Sequence, residues 1–177
     1  MASTIPRDAL VIAPHSTEAE ECVLGSCLID PEAFPLVAPS LWASDFFHDA
    51  HRKIADAMVR VASRGMPTEF VLVCDELKEM GVLEAIGGEA RIARLLTAVP
   101  TAAHVEHYAW IVRRDACRRA LMSAAADVMK YAHEHMDDDP ARNVDWAIER
   151  MERVKQQFEN RGPSRDPEAP IWQRYAH

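Results

Sequence analysis

An all-α protein, with a compact helical head followed by a long antiparallel helical hairpin, is predicted from three observations. Glycine is scarce, at 6 of 177 residues, while Met reaches 8 and alanine runs recur, a balance that favours helix over a glycine-rich phosphate-binding or all-β architecture. Residues 102–136 contain neither Gly nor Pro, so nothing interrupts one long helix there. Further on, Val144, Ala147, Met151, Val154 and Phe158 fall at spacings 3, 4, 3, 4, the period of a coiled-coil seam. Hydrophobic residues at 49% and charged residues at 27% mark a globular chain rather than a disordered one.

Local signals place the elements. Thr17-Glu18-Ala19-Glu20 has the form of a capping box, in which a hydroxyl and a carboxylate three residues apart satisfy the orphan amides of a helix start. Ala19, Cys22, Val23 and Cys27 then recur at helical spacing, as do Leu24 and Leu28. Asp30-Pro31 ends that helix, because the residue before proline is pushed out of the α region. Residues 31–39, punctuated by Pro35, read as a single turn or a loop. A second helix is predicted over Ala50–Ser63 with Ile54, Ala57, Met58 and Val61 inward, and Gly65 stands where a left-handed C-terminal residue belongs. A third runs from Phe70 to Met80 before Gly81, and a fourth from Glu89 to Ala98, between Gly87-Gly88 and Pro100. Past residues 102–136, Asp137-Asp138-Asp139-Pro140 turns the chain into a second long helix over 141–160, where Glu149 and Arg153 form an i,i+4 pair in the favourable order. The expected organisation is an N-terminal arm at 1–16, the head at 17–100, the hairpin at 101–160 and a linker or disordered tail at 161–177. Trp172 and Tyr175 are unusual in such a tail.

Charge follows the same division. The net charge is −8; residues 1–103 hold −7 of it, with 8 basic and 15 acidic side chains, whereas residues 104–177 hold 12 and 13. An acidic protein is poorly suited to tight duplex binding, which draws its affinity from cationic side chains, so direct DNA binding is expected to be weak or absent. No apolar stretch is long enough for a membrane span, and residues 1–7 show no secretion signal, so a cytoplasmic location is expected. Cys22, Cys27, Cys74 and Cys117 are scattered and read as reduced, buried thiols.

Catalytic and ligand motifs are missing. No G-x-x-x-x-G-K-[ST], G-x-G-x-x-G or G-x-S-x-G occurs, so no cofactor is expected and nucleotide chemistry would have to come from another domain or subunit. His48/His51 and His104/His107 are i,i+3 pairs, and His133-Glu134-His135 precedes the acidic turn; zinc asks for three or four converging ligands, and these read instead as turn and helix-face residues. Arg113-Arg114-Asp115-Ala116-Cys117-Arg118-Arg119 is the densest basic cluster, suited to an acidic protein surface or to a solvated face paired with Asp115 and Glu106. Met122, Ala125, Val128, Met129, Met151 and Phe158 offer the adaptable apolar material that a thin hairpin either packs on its own head or presents to a partner.

Four ordered blocks carry a resemblance. They are residues 14–30 (from Pro14-His15-Ser16-Thr17 to Leu28-Ile29-Asp30), Asp45-Phe46-Phe47-His48-Asp49-Ala50-His51-Arg52-Lys53-Ile54, Leu83-Glu84-Ala85-Ile86-Gly87-Gly88, and residues 99–112 from Val99-Pro100-Thr101 to Trp110-Ile111-Val112. Together they resemble the N-terminal domain of DnaB-type replicative DNA helicases of bacteria and their phages, over about Ile5 to Asn160. Arg91 departs from the pattern, standing where an aromatic residue is common, near the family surface that meets primase. The family's RecA-like ATPase motor is not in this sequence.

The resemblance implies a non-catalytic assembly module, whose hairpins pair into dimers and a trimer of dimers as a collar on a helicase motor, docking primase or a loader. On that basis the oligomer interface is expected at Val144, Ala147, Met151, Val154 and Phe158. Partner docking, by the C-terminal domain of primase or by a helicase loader, is expected at Arg91, Arg118, Met122 and Val128. The alternatives are a stand-alone mimic of the helicase head that regulates a host helicase, and an enzyme with a metal site at His133 and His135.

Overall fold

The computed structural model describes residues 12–99, 102–136 and 139–159, and every regular element among them is helical. Seven α-helices are present: α1 (Thr17–Ile29), α2 (Ala33–Val37), α3 (Asp49–Ser63), α4 (Phe70–Glu79), α5 (Gly88–Ala98), α6 (Val105–Glu134) and α7 (Pro140–Glu159), with short 3₁₀ turns before α3, α5 and α6. The all-α head and hairpin are therefore as the sequence predicts. The first eleven residues of the expected arm, Asp137 and Asp138 of the acidic turn, and the expected tail lie outside the described residues.

Helix α1 occupies the centre of the head, against α2, α3, α5 and α6. Its residues 22–28 are buried without interruption, which is the pattern of a helix enclosed on all sides rather than of one with a wet face. Its start differs from the predicted capping box by one residue. Ser16 is the cap, its Oγ accepting from Ala19 N at 3.2 Å, and Thr17 is already helical, so Glu20 falls one position past the place from which it could reach back. That frees the Glu20 carboxylate to point into the head, where it is 1% exposed.

The predicted inward residues of α3 (Ile54, Ala57, Met58 and Val61) are all buried, and Gly65 closes the helix at φ +74°. Leu77 of α4 and Ile92 of α5 complete the same core. Each such fully buried aliphatic side chain contributes about 1.5–3 kcal/mol relative to exposure. Helix α5 lies directly on α1 because α1 carries glycine at the crossing: a Cβ at Gly25 would run into the Leu95 carbonyl oxygen and come within 2.7 Å of Val99 Cγ2.

Helix α6 belongs to both parts of the molecule. Val105, Ala109, Val112 and Ala116 in its first half are buried, with α1 and α2 as its neighbours in the head. Its second half continues past the head and packs on α7, and among the described residues there Ala124 is the one fully buried α6 residue and Val154 its counterpart on α7. The loop between them is held at its base by Asn143 Nδ2, which donates to His135 O at 3.1 Å.

Candidate functional site

The two rods of the hairpin are joined by contacts spaced along their length. Arg150 of α7 donates from Nε and Nη2 to Asp127 Oδ2 of α6, at 2.9 and 2.7 Å. Nearer the tip, Tyr131 stacks on Trp146 with ring centroids 4.1 Å apart, and on its other side His135 stacks on Tyr131 at 4.0 Å. Near the head, Arg113 donates to the carbonyl of Phe158 and so satisfies one of the orphan oxygens at the end of α7.

These contacts divide the heptad seam into two uses. Val154 is buried, and half-buried Phe158 shares the wall of a recess with Arg113, Arg114, Cys117 and Arg118 of the chain's own α6, its carbonyl taken by Arg113. Val144, Ala147 and Met151 instead line an open groove of about 700 Å³ with Val128, Ala132 and Ile148, edged by Asn143, Glu152 and Lys155. Val144 is 58% exposed and no head residue lines this groove, which leaves a nearly continuous apolar strip along the distal hairpin. Met122 and Met129 on α6 are exposed as well. Of the expected docking residues, Val128 is thus inside the groove, Met122 is exposed beyond its lining, and Arg118 sits nearer the head with Nη1 3.3 Å from Asp115 Oδ1. Arg91 is not near any of them. It lies on α5 within the head, its Nη2 3.5 Å from His51 Nε2 and its Nε buried without a hydrogen-bond partner among the described residues.

That second cluster was not apparent from the sequence. The Glu20 carboxylate accepts from Phe47 N at 2.5 Å, from His48 N at 3.3 Å and from His51 Nδ1 at 2.8 Å, tying α1 to the turn that leads into α3. Burial raises the Glu20 carboxyl, but these hydrogen bonds and the His51 ring together outweigh it, so the group ionises below the ordinary glutamate range. His15 stacks on Phe47 at 4.1 Å, and His48 meets both His15 and His51 edge-on. Burial lowers the His48 imidazole, as do the neighbouring His51, His15 and Arg91, against the opposing pull of Glu20. Arg119 completes the fastening by donating to the carbonyls of Pro14 and Asp45. The His48/His51 pair therefore serves a polar pin within the head, whereas His104 and His107 are exposed, His107 stacking on Trp110. His135 is held by Tyr131, and among the described residues no three His, Cys, Asp or Glu side chains group as metal ligands. Cys22, Cys27 and Cys74 are buried and free, as expected; burial pushes the Cys27 thiol up to about 12, which leaves it unreactive. Cys117 is only half-buried.

The stretch that builds the head, from before α1 into the first part of α6, is matched by the DnaB-like helicase N-terminal domain family model over residues 12–114. This chain belongs to that family. The family match ends where α6 leaves the head. Among relatives of the DnaB family, the replicative DNA helicase DnaB of Geobacillus stearothermophilus is 42% identical over 127 residues, covering 72% of this chain and 28% of the relative. DnaB of Mycobacterium leprae is 36% identical over 135 residues, covering 76% of this chain and 22% of the relative. The chain thus spans about a quarter of the length of these helicases. The crystal structure of the N-terminal domain of DnaB helicase from Mycobacterium tuberculosis superimposes with a TM-score of 0.75 at 34% identity, over 81% of this chain and 99% of that one. A DnaB-like replicative helicase, described by its structure and its interactions with primase, shares the fold, with a TM-score of 0.66 at 18% identity, over 88% of this chain and 36% of that one. No described helix is long and apolar enough to cross a membrane.

Proposed function

We propose that this chain is a non-catalytic assembly and docking domain of DNA replication, which pairs with a second copy through the distal hairpin and offers the composite surface to a primase C-terminal domain or a helicase loader. The carrying observation is the open groove around Val144, Ala147, Met151 and Val128: an apolar strip of that kind on a thin two-helix arm is stabilised by covering it. Two hairpins laid groove to groove would cover it symmetrically, as a two-fold interface requires. Val154 and Phe158, spent on α6, would hold the arm straight and touch the partner copy less. Family membership supports the same reading, since the relatives are replicative helicases. That a DnaB-like replicative helicase of the same fold is described with its interactions with primase supports primase as the class of partner. Met122 and Val128 on α6 are the proposed docking positions, with Arg118 at the near end; Arg91 would contribute by holding α5 in place.

The test is the solution mass by size-exclusion chromatography with light scattering. The expected result is a dimer or a multiple of it, driven to monomer by Met151→Asp with the unfolding midpoint of the monomer unchanged. A strict monomer at high concentration, indifferent to that substitution, would remove the assembly claim. Primase docking is read separately, as retention of a primase C-terminal domain that Met122→Asp abolishes.

A further inference from the structure

At the base of the hairpin, Trp110 is 56% exposed, although its ring is engaged with His107 and with the Arg114 guanidinium 5.2 Å from the ring centroid. Two adjoining recesses flank it. One, of about 320 Å³, is walled by Arg114, Cys117, Arg118 and Phe158; the other, of about 210 Å³, lies toward α2 and is walled by Leu36, Ser40 and Glu106. Trp110 and Arg113 belong to both. Leu36 is 57% exposed, so the second recess adds an aliphatic wall to an aromatic one. The first is cationic: Asp115 uses a single carboxylate oxygen for Arg114 Nε (2.9 Å) and Arg118 Nη1 (3.3 Å), which leaves both guanidinium groups with N–H donors for an incoming carboxylate.

The chain itself supplies a segment of matching chemistry. Helix α7 delivers Phe158 to the wall of the cationic recess, and the sequence continues Arg161-Gly162-Pro163-Ser164-Arg165-Asp166-Pro167-Glu168-Ala169-Pro170-Ile171-Trp172. After the basic Arg161 and Arg165, the acidic Asp166 and Glu168 precede the apolar Ile171 and Trp172, the order in which the recesses are met when moving from α7 toward α2. The seven residues from Asn160 to Asp166, beyond the end of α7, reach up to about 23 Å when extended, ample to span one recess. We propose that residues 164–175 seat on this face of their own chain, Asp166 and Glu168 against Arg114 and Arg118, Ile171 and Trp172 against Trp110 and Leu36. Seating in cis has a high effective concentration, because the segment is tethered within a few residues of its site. The consequence is directional control: a seated segment sets the path by which anything joined beyond it leaves the hairpin.

The experiment is ¹⁵N NMR of the full chain, reading the four tryptophan indole N–H signals. Trp172→Ala and the pair Asp166→Lys/Glu168→Lys should each shift the Trp110 signal by more than its linewidth while the Trp146 signal, inside the hairpin, stays put. Reciprocally, Trp110→Ala should move the Trp172 signal. A Trp110 signal that ignores both tail variants overturns the proposal. So does a shift that disappears on dilution, which would assign the recesses to the tail of another copy.

Discussion

The head and the hairpin use the same building material toward opposite ends. In the head, apolar side chains close around α1, and two of the polar groups that enter the interior are well partnered: Glu20 by two backbone amides and His51, and Thr68 by the Cys27 carbonyl at 2.9 Å. Among the described residues of the distal hairpin only Ala124 and Val154 are fully buried, and Val144, Ile148 and Met129 remain exposed. A core of that size does not stabilise two helices in isolation, since most helical stability in proteins comes from tertiary packing. The contrast teaches where each property resides: independent stability in the head, and a demand for company in the hairpin.

The largest way to break the contrast is to unfasten the head. Glu20→Gln leaves an amide facing backbone donors in a buried site and should lower stability by about 3 kcal/mol at neutral pH. The pH dependence has a definite sign. Because the folded Glu20 carboxyl ionises below its ordinary value, its stabilisation is complete above about pH 4.3 and is lost as pH falls through the folded value. His48 is lowered too, so the unfolded chain takes up that proton first and stability begins to decline below about pH 6.5. Urea titrations across this range should show a shallow loss and then a steep one, with the deficit of Glu20→Gln shrinking at acid pH. A deficit constant from pH 7 to 3 would show that Glu20 acts by shape alone.

Next in size is the α1–α5 contact. Gly25→Ala must push the helices apart because the obstacle is the Leu95 backbone, and the expected loss is about 1–3 kcal/mol even though alanine is the better helix former. That close approach was not read from the sequence, where Gly25 stands inside an ordinary helical pattern. Much else was legible. The faces of α3 show because one side is wet and the other dry, and the seam of α7 shows through its spacing. What escaped reading was non-local. Ser16 and Thr17 are both competent caps, and the choice between them decides whether Glu20 turns back or inward; its partners lie 27, 28 and 31 residues away. A heptad likewise does not state which helix it faces, so Val154 and Phe158 could not be separated from Val144, Ala147 and Met151. Trp110 stood inside a recognisable block, and only the fold shows its ring at the surface between two recesses.

The smallest predicted effect sharpens the contrast from the hairpin side. The Arg150–Asp127 fork has good geometry, but Asp127 is 47% exposed, so solvent screens the pair and its coupling should be about 0.5 kcal/mol. A double-mutant cycle with Arg150→Ala and Asp127→Ala should return that value at low salt and nothing measurable at 1 M, where the screening length is about 3 Å. The Tyr131–Trp146 stack, an apolar contact of parallel rings, should be indifferent to the same salt. If the rods are held together chiefly by stacking and by a partner copy, removing the fork leaves the oligomer mass intact at both salt concentrations. If the mass falls with the fork at low salt, alignment of the two rods by charge is a precondition for pairing, and the hairpin is less of a preformed arm than its contacts imply.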